Sequence, residues 1–529
     1  MLSLRQKKWP FILGSYAMIT GLSTPTVQAQ DLTELAKQIQ TGQNSATQLL
    51  QNVQQRSGQL NPRLHAVSAL NSAAMDEAKR SDQQRDPSLP LQGISIMVKD
   101  NIAVKAMATT AGSLALLDNI AEHDAFIVAK LRAAGLIVAG KTNLSEWANF
   151  RSTHSSSGWS SVGGQTRNPY DLRKSPCGSS SGSGAAVAAR LIPAAIGTET
   201  DGSIVCPASV NGLVGLKPTL GLVSRSGIIP LSHSQDTAGP MTLTVRDAAL
   251  LLNVIAGSDP DDSASLGADQ NRSADYTAGL DPQALKGKRL GVVKNLSEGY
   301  DRATRLLFRR SIELLKAQGA EVIEDLAIPH LEALEKDEFP VLLYDFKADL
   351  NTYLAQAPAK LKSRSLADLI QFNLQHAPQV MPYFKQELME QAQAKGPLTD
   401  AEYLQPAARA KQLAGPDGID ALMKSHHLDA LIAPTTGPAW AIDYRKGDII
   451  AGSASTPAAI AGYPHLSVPM GLVRGLPVGL SFFAGAWSDA SLLNMGYAFE
   501  QARAPLPAPK MEADKPAARH VKSKKNHSL

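Results

Sequence analysis

Two periods of apolar and polar residues alternate along this chain. From 32 to 56 the apolar positions recur at helical spacing, and the polar stretch 82–90 reads as a loop. Residues 93–98, Gly-Ile-Ser-Ile-Met-Val, predict a strand with Ile94, Ile96 and Val98 on one face and Ser95, Met97 and Lys99 on the other. A helix over 124–134 and a strand over 136–140 follow, then an alanine-rich helix over 185–195. Farther on come a strand at 289–293, a helix at 302–318, strands at 430–433, 466–469 and 478–483, and a helix at 489–501. Alternation of this kind predicts an α/β fold, a single main domain over 30–506 with a large mixed, mostly parallel sheet sandwiched between helices. Residues 260–415 are more helical and more charged, and are expected to form a cap over the core.

Charge alters this picture only at the ends. The 529 residues carry a formal net charge of +4, with Arg5, Lys7 and Lys8 at the start and Lys510, Lys515, Arg519, Lys522, Lys524 and Lys525 at the finish. The body between is close to neutral, which argues against a nucleic-acid partner. The first 29 residues have the layout of a secretory signal peptide: a basic start, an apolar run from Trp9 to Leu22, and small residues up to Ala29. Export is therefore expected, to the periplasm rather than the medium, with no stable membrane insertion after cleavage. The Pro-, Ala- and Lys-rich segment 507–529 is expected to be a disordered basic tail. Export would allow the two cysteines, Cys177 and Cys206, to pair. They are read here as two small buried thiols.

The candidate chemistry lies in two small-residue turns. Pro176-Cys177-Gly178-Ser179-Ser180-Ser181-Gly182-Ser183-Gly184 has the composition of a flexible linker, yet it runs directly into an apolar helix. A second turn, Gly197-Thr198-Glu199-Thr200-Asp201-Gly202-Ser203, follows that helix. Two serine-bearing turns on either side of one helix suggest backbone brought close to a ligand, with consecutive N–H groups able to hold an oxyanion.

The run from Gly178 to Ala208 resembles the amidase signature family. Gly93–Asn101, Gly140-Lys141-Thr142-Asn143, Gly215–Thr219, Asp236–Met241, Ala433-Pro434-Thr435 and Gly462-Tyr463-Pro464 resemble further landmarks of that family, in its order. The 198–203 and 143–147 segments look most like bacterial peptide amidases. The resemblance implies an amide hydrolase that forms an acyl-enzyme without a cofactor or metal. Its nucleophile would be Ser203, Ser179 would bridge through a residue whose peptide bond is cis, and Lys99 would be the terminal base. The N–H groups of Thr200, Asp201, Gly202 and Ser203 would form the oxyanion hole, with Ser180 and Asp201 at the substrate. Such a base must spend time neutral, which burial promotes. Asp100 is expected to point away from it.

Many family members have glycine at Asp201 and arginine at Val205. A valine cannot pair with a substrate carboxylate, so the expected substrate is a small-molecule or peptide amide with a neutral acyl part, in particular a peptide C-terminal carboxamide that loses ammonia. A broad aliphatic or aryl amidase is the alternative. Gly178–Gly182 also fits G-x-S-x-G, which would make Ser180 the nucleophile and call on His427 or His465. The signature also occurs in the amidotransferases that act on charged transfer RNA, and a periplasmic peptide-binding protein would share the size and export. No HExxH or phosphate-binding loop occurs.

Overall fold

The computed structural model describes residues 31–511, so the leader and the tail beyond 511 lie outside the described residues. Among the described residues there are thirteen strands: β1 Val67–Leu70, β2 Ser95–Lys99, β3 Ile137–Thr142, β4 Trp159–Ser160, β5 Gly164–Gln165, β6 Ala194–Glu199, β7 Val214–Lys217, β8 Thr237–Thr242, β9 Arg289–Val293, β10 Glu321–Leu326, β11 Ala430–Pro434, β12 His465–Val473 and β13 Leu476–Phe483. Eleven of them form one sheet in the order β1-β3-β2-β6-β8-β7-β12-β13-β11-β9-β10, and β4 and β5 make a small hairpin. The sheet is mixed. Parallel pairs lie toward its flanks, β3-β2-β6 on one side and β11-β9-β10 on the other, and the strands from β6 to β11 pair antiparallel.

Helices cover both faces. Ile94, Ile96 and Val98 enter one core, shared with helices Val245–Ile255 and Asp489–Ala502. Met97 enters the opposite core with helices Ala46–Leu64 and Ser181–Ala188. The alternation read from the sequence thus places Lys99 on the second face, and each enclosed Ile, Leu or Phe contributes about 1.5–3 kcal/mol. Among the described residues no helix is long and apolar enough to cross a membrane.

Three expectations need correction. The helix expected over 185–195 is the Ser181–Ala188 helix, and its last residues belong to β6. Alanine is helix-favouring, but Pro193 and the positive φ of Arg190 separate the two elements. The helical pattern over 32–56 is two helices, Leu32–Gln40 and Ala46–Leu64, parted at Gly42 (φ +73°) and restarted by Ser45, whose hydroxyl accepts from Gln48 N. The cap expected over 260–415 begins later, because β9, β10 and the Arg302–Ala317 helix are built into the main sheet layer. Helices Leu331–Ala355, Leu366–Gln375, Glu387–Gln393 and Ala401–Ala414 make up the covering part. At the other end, 507–511 lies against the body: Tyr170 donates to Pro507 O at 3.1 Å and Arg63 to Met511 O at 3.0 Å.

Candidate active site

The site forms where β2, β6 and the two serine-bearing turns meet. Lys99 ends β2, between β3 and β6, and its side chain is fully buried. Its Nζ lies 2.7 Å from Ser179 Oγ, 2.8 Å from Thr198 Oγ1 and 3.1 Å from Thr198 O. A neutral amine fits this set: two N–H groups donate to Thr198, and the lone pair faces the Ser179 hydroxyl. Burial lowers the Lys99 pKa to about 7, against the pull of the negative charges on Asp236 and Glu199. Asp100 points the other way. Its Oδ1 meets Lys141 Nζ at 3.2 Å, and Thr110 donates to its other oxygen.

Ser179 follows a cis peptide bond from Gly178, as the resemblance implies. A Cβ at Gly178 would stand 2.1 Å from Ser145 Oγ, so that position admits glycine alone. The two turns are tied together. Ser180 N donates to Ser203 O at 3.1 Å, and Cys177 and Cys206 form a disulfide across the same gap. The expectation of free thiols is therefore corrected: chain folding brings their Cα atoms to 6.0 Å, a distance that 29 residues of separation do not reveal.

Ser203 keeps 8% of its surface exposed, while Ser179 and Lys99 keep none. Ser203 is thus the member of the three that a substrate can reach. Gly202 supplies a left-handed residue (φ +78°), and a Cβ there would crowd Ser455 Oγ at 3.0 Å. No hydrogen bond within the described residues engages the backbone N–H of Thr200, Asp201, Gly202 or Ser203, which leaves consecutive donors free beside the exposed serine. Glu199 holds the far end of this turn by accepting from Ile204 N and Val205 N at 2.6 and 3.0 Å. Thr200 Oγ1 donates to Asp236 Oδ1 at 2.6 Å; burial raises the Asp236 pKa to about 6.

Two residues expected at the substrate are otherwise engaged. Ser180 is fully buried, donating to Thr198 O at 3.0 Å and accepting from Thr198 N at 3.2 Å, so its hydroxyl braces β6. That placement also removes Ser180 as a nucleophile. His465 is no partner for it either: the ring is buried on β12 against Ser481 Oγ, and burial depresses its pKa to about 3. Asp201 Oδ2 accepts from Thr456 Oγ1 at 2.7 Å. Val205 is buried at the start of the Val205–Asn211 helix. No group of residues able to hold a metal occurs among the described residues.

The sequence reading missed Thr198, Asn101, Gln235, Thr456 and Glu338 as parts of the site. Asn101 donates to Thr198 Oγ1 at 3.0 Å, and Gln235 to Thr200 O at 3.3 Å. Thr198 and Asn101 lie inside the motifs that carry the resemblance, so a search for polar residues next to the triad would have found them. Phe346 packs edge-on to Phe150 and Trp147 and also lines a small cavity with Thr198, Thr200 and Asp236.

The amidase family model matches residues 48–493. The chain belongs to the amidase family. It is an amide hydrolase, similar over 93% of its length to a probable amidase of Arabidopsis thaliana, with 37% identity and 93% of that protein covered. The native peptide amidase of Stenotrophomonas maltophilia is 49% identical, with a TM-score of 0.87 over 92% of this chain and 100% of that one. A glutamyl-tRNA(Gln) amidotransferase component of a Synechococcus strain is 34% identical over 93% of this chain and 96% of its own.

Proposed function

We propose that this amidase removes ammonia from the C-terminal carboxamide of peptides, with Ser203 as nucleophile, Ser179 as proton relay and Lys99 as base. The observation that carries the chemistry is the buried Lys99 amine, 2.7 Å from Ser179 Oγ and bonded to hydroxyls and a carbonyl rather than a carboxylate. A serine hydroxyl attacks poorly until its proton is taken. Ser203 Oγ adds to the amide carbon as its proton passes to Ser179, and the Ser179 proton passes to Lys99 Nζ. The oxyanion is met by the free N–H groups of 200–203. Return of a proton through Ser179 to the nitrogen breaks the C–N bond and releases ammonia. Water then attacks the acyl-Ser203 ester by the same relay and frees the acid.

The peptide part of the proposal is supported by the 49% identity to a peptide amidase and by Val205, which offers no cation to an acidic acyl group. The same valine disfavours the amidotransferase role. Ammonia release from a panel of C-terminal peptide amides, aliphatic and aryl amides, malonamate and glutamine tests it, with Ser203→Ala and Lys99→Ala as controls. Release from peptide amides that both variants abolish is expected. Release confined to simple aliphatic or aryl amides would sink the peptide assignment.

Export to the periplasm is proposed as well. The leader-like start and the Cys177–Cys206 bond, which persists in oxidising compartments, support it. Mass spectrometry of the fractionated protein should find a mature N-terminus near Gln30 outside the cytoplasm; an intact Met1 within it would refute export.

A further inference from the structure

The Leu331–Ala355 helix of the covering part reaches the turn that holds Ser203. Gln235 Nε2 donates to Glu338 Oε1 at 2.7 Å on this helix and to Thr200 O at 3.3 Å on the turn, and so bridges the two. The Glu338 carboxyl also lies within hydrogen-bonding reach of Asp201. Asp201 Oδ2 is taken by Thr456, whereas its Oδ1 is buried without a hydrogen-bond partner, with the Ser455 hydroxyl and Glu338 beside the carboxylate. A protonated Glu338 can donate to that oxygen while Gln235 holds it. Two ionised carboxylates repel strongly in such a place, and one shared proton converts the repulsion into a hydrogen bond.

We propose that Glu338 is a positioning residue for the hydrolysis: sharing a proton with Asp201 and held by Gln235, it fixes the 200–203 turn and the direction of its N–H groups. This rests on the reading of that turn as the oxyanion site. The charged surroundings agree with a shared proton. Glu335 on the same helix and Glu199 on β6 add negative charge, and Lys217 on β7 is the cation acting on Asp201. His233 and Lys411 line, with Glu338 and Gln235, a cavity of about 290 Å³. Burial raises both carboxyls above their ordinary range, Glu338 well above it. The raised pKa values favour the shared-proton form, and loss of that proton as pH rises turns the clamp into a repulsion.

The test uses the mature chain with Glu338→Ala and Glu338→Gln. It measures kcat and KM on a cleaved amide, and the rate of fluorophosphonate labelling of Ser203, across neutral to alkaline pH. Glu338→Ala should lower kcat about 10- to 100-fold with KM little changed, the scale of a misplaced reacting group. Glu338→Gln offers an N–H to Asp201 and a carbonyl to Gln235 with nothing to titrate. It should restore most of kcat and lack the alkaline decline of the wild type. A Glu338→Ala variant at wild-type kcat, or a Glu338→Gln variant that keeps the wild-type alkaline decline or is as impaired as Glu338→Ala, overturns the proposal. If Glu338→Ala does not fold, the pH profile of Glu338→Gln decides alone. Wild-type labelling without ammonia from peptide amides would count against the substrate assignment, while the labelling rates of the variants would still judge Glu338.

Discussion

Lys99 and Lys141 stand on neighbouring parallel strands, both with no exposed surface, and they have opposite surroundings. Lys141 Nζ has a carboxylate, Asp100, at 3.2 Å, with Ala108 O and Thr109 Oγ1 completing its shell. Lys99 has two hydroxyls and a carbonyl. Burial pushes both pKa values down, but only Lys141 has a salt-bridged carboxylate to push back. One lysine is half of an ion pair that holds β2 and β3 together. The other is kept dry and without a counter-ion in contact, so it can give up its proton near neutral pH. Burial alone does not make a base. Burial with neutral partners does.

The comparison can be broken most severely at Lys99. Lys99→Met, which keeps the bulk and loses the amine, should lower kcat for any cleaved amide by at least about 10⁴-fold, as losses of a triad member do. Activity within tenfold of wild type would remove Lys99 as the base. At the other lysine the large effect should fall on stability. Asp100→Asn strands the buried Lys141 charge and should cost about 3–5 kcal/mol, read from chemical unfolding, while the folded fraction keeps most of its kcat. An unchanged unfolding midpoint would show that Lys141 is itself neutral.

A smaller effect concerns pH. With Lys99 as the proposed base, kcat/KM should rise with pH through about 7, ahead of the alkaline decline expected from Glu338. A rate flat from pH 5 to 8 would contradict a base of that pKa. Smallest is the effect of the nearby charge. Asp236 favours the ammonium form of Lys99, so Asp236→Asn should move that rise to lower pH, by up to about one unit. Asp236 also holds Thr200, so kcat should fall too; the position of the rise, not its height, is the diagnostic readout.

Much of the site was legible because it sits in contiguous motifs. Gly178–Gly184 and Gly197–Ala208 are short runs whose glycines are demanded by close approaches, at Gly178 against Ser145 and at Gly197 against Ser180. The strand alternation placed Lys99 on the face opposite Ile94, Ile96 and Val98, and Asp100 away from it. Other features had no local signature. The alanine-rich run gave no period to separate the end of a helix from the start of β6, and β10 was hidden in a segment of charged, helical composition, whereas β9 was read at its true bounds.

The sequence by itself determined the fold class and the family resemblance, and that resemblance named Lys99, Ser179 and Ser203 as the candidate triad, since contiguous motifs carry it. Tertiary structure decided which hydroxyls surround Lys99, that Cys177 meets Cys206, that Ser180 faces β6, and that Glu338 reaches a turn more than a hundred residues earlier in the chain. The physical reason is common to them. A pKa, a disulfide or a shared proton depends on distances and exclusion of water among groups far apart in the chain, and only packing sets those.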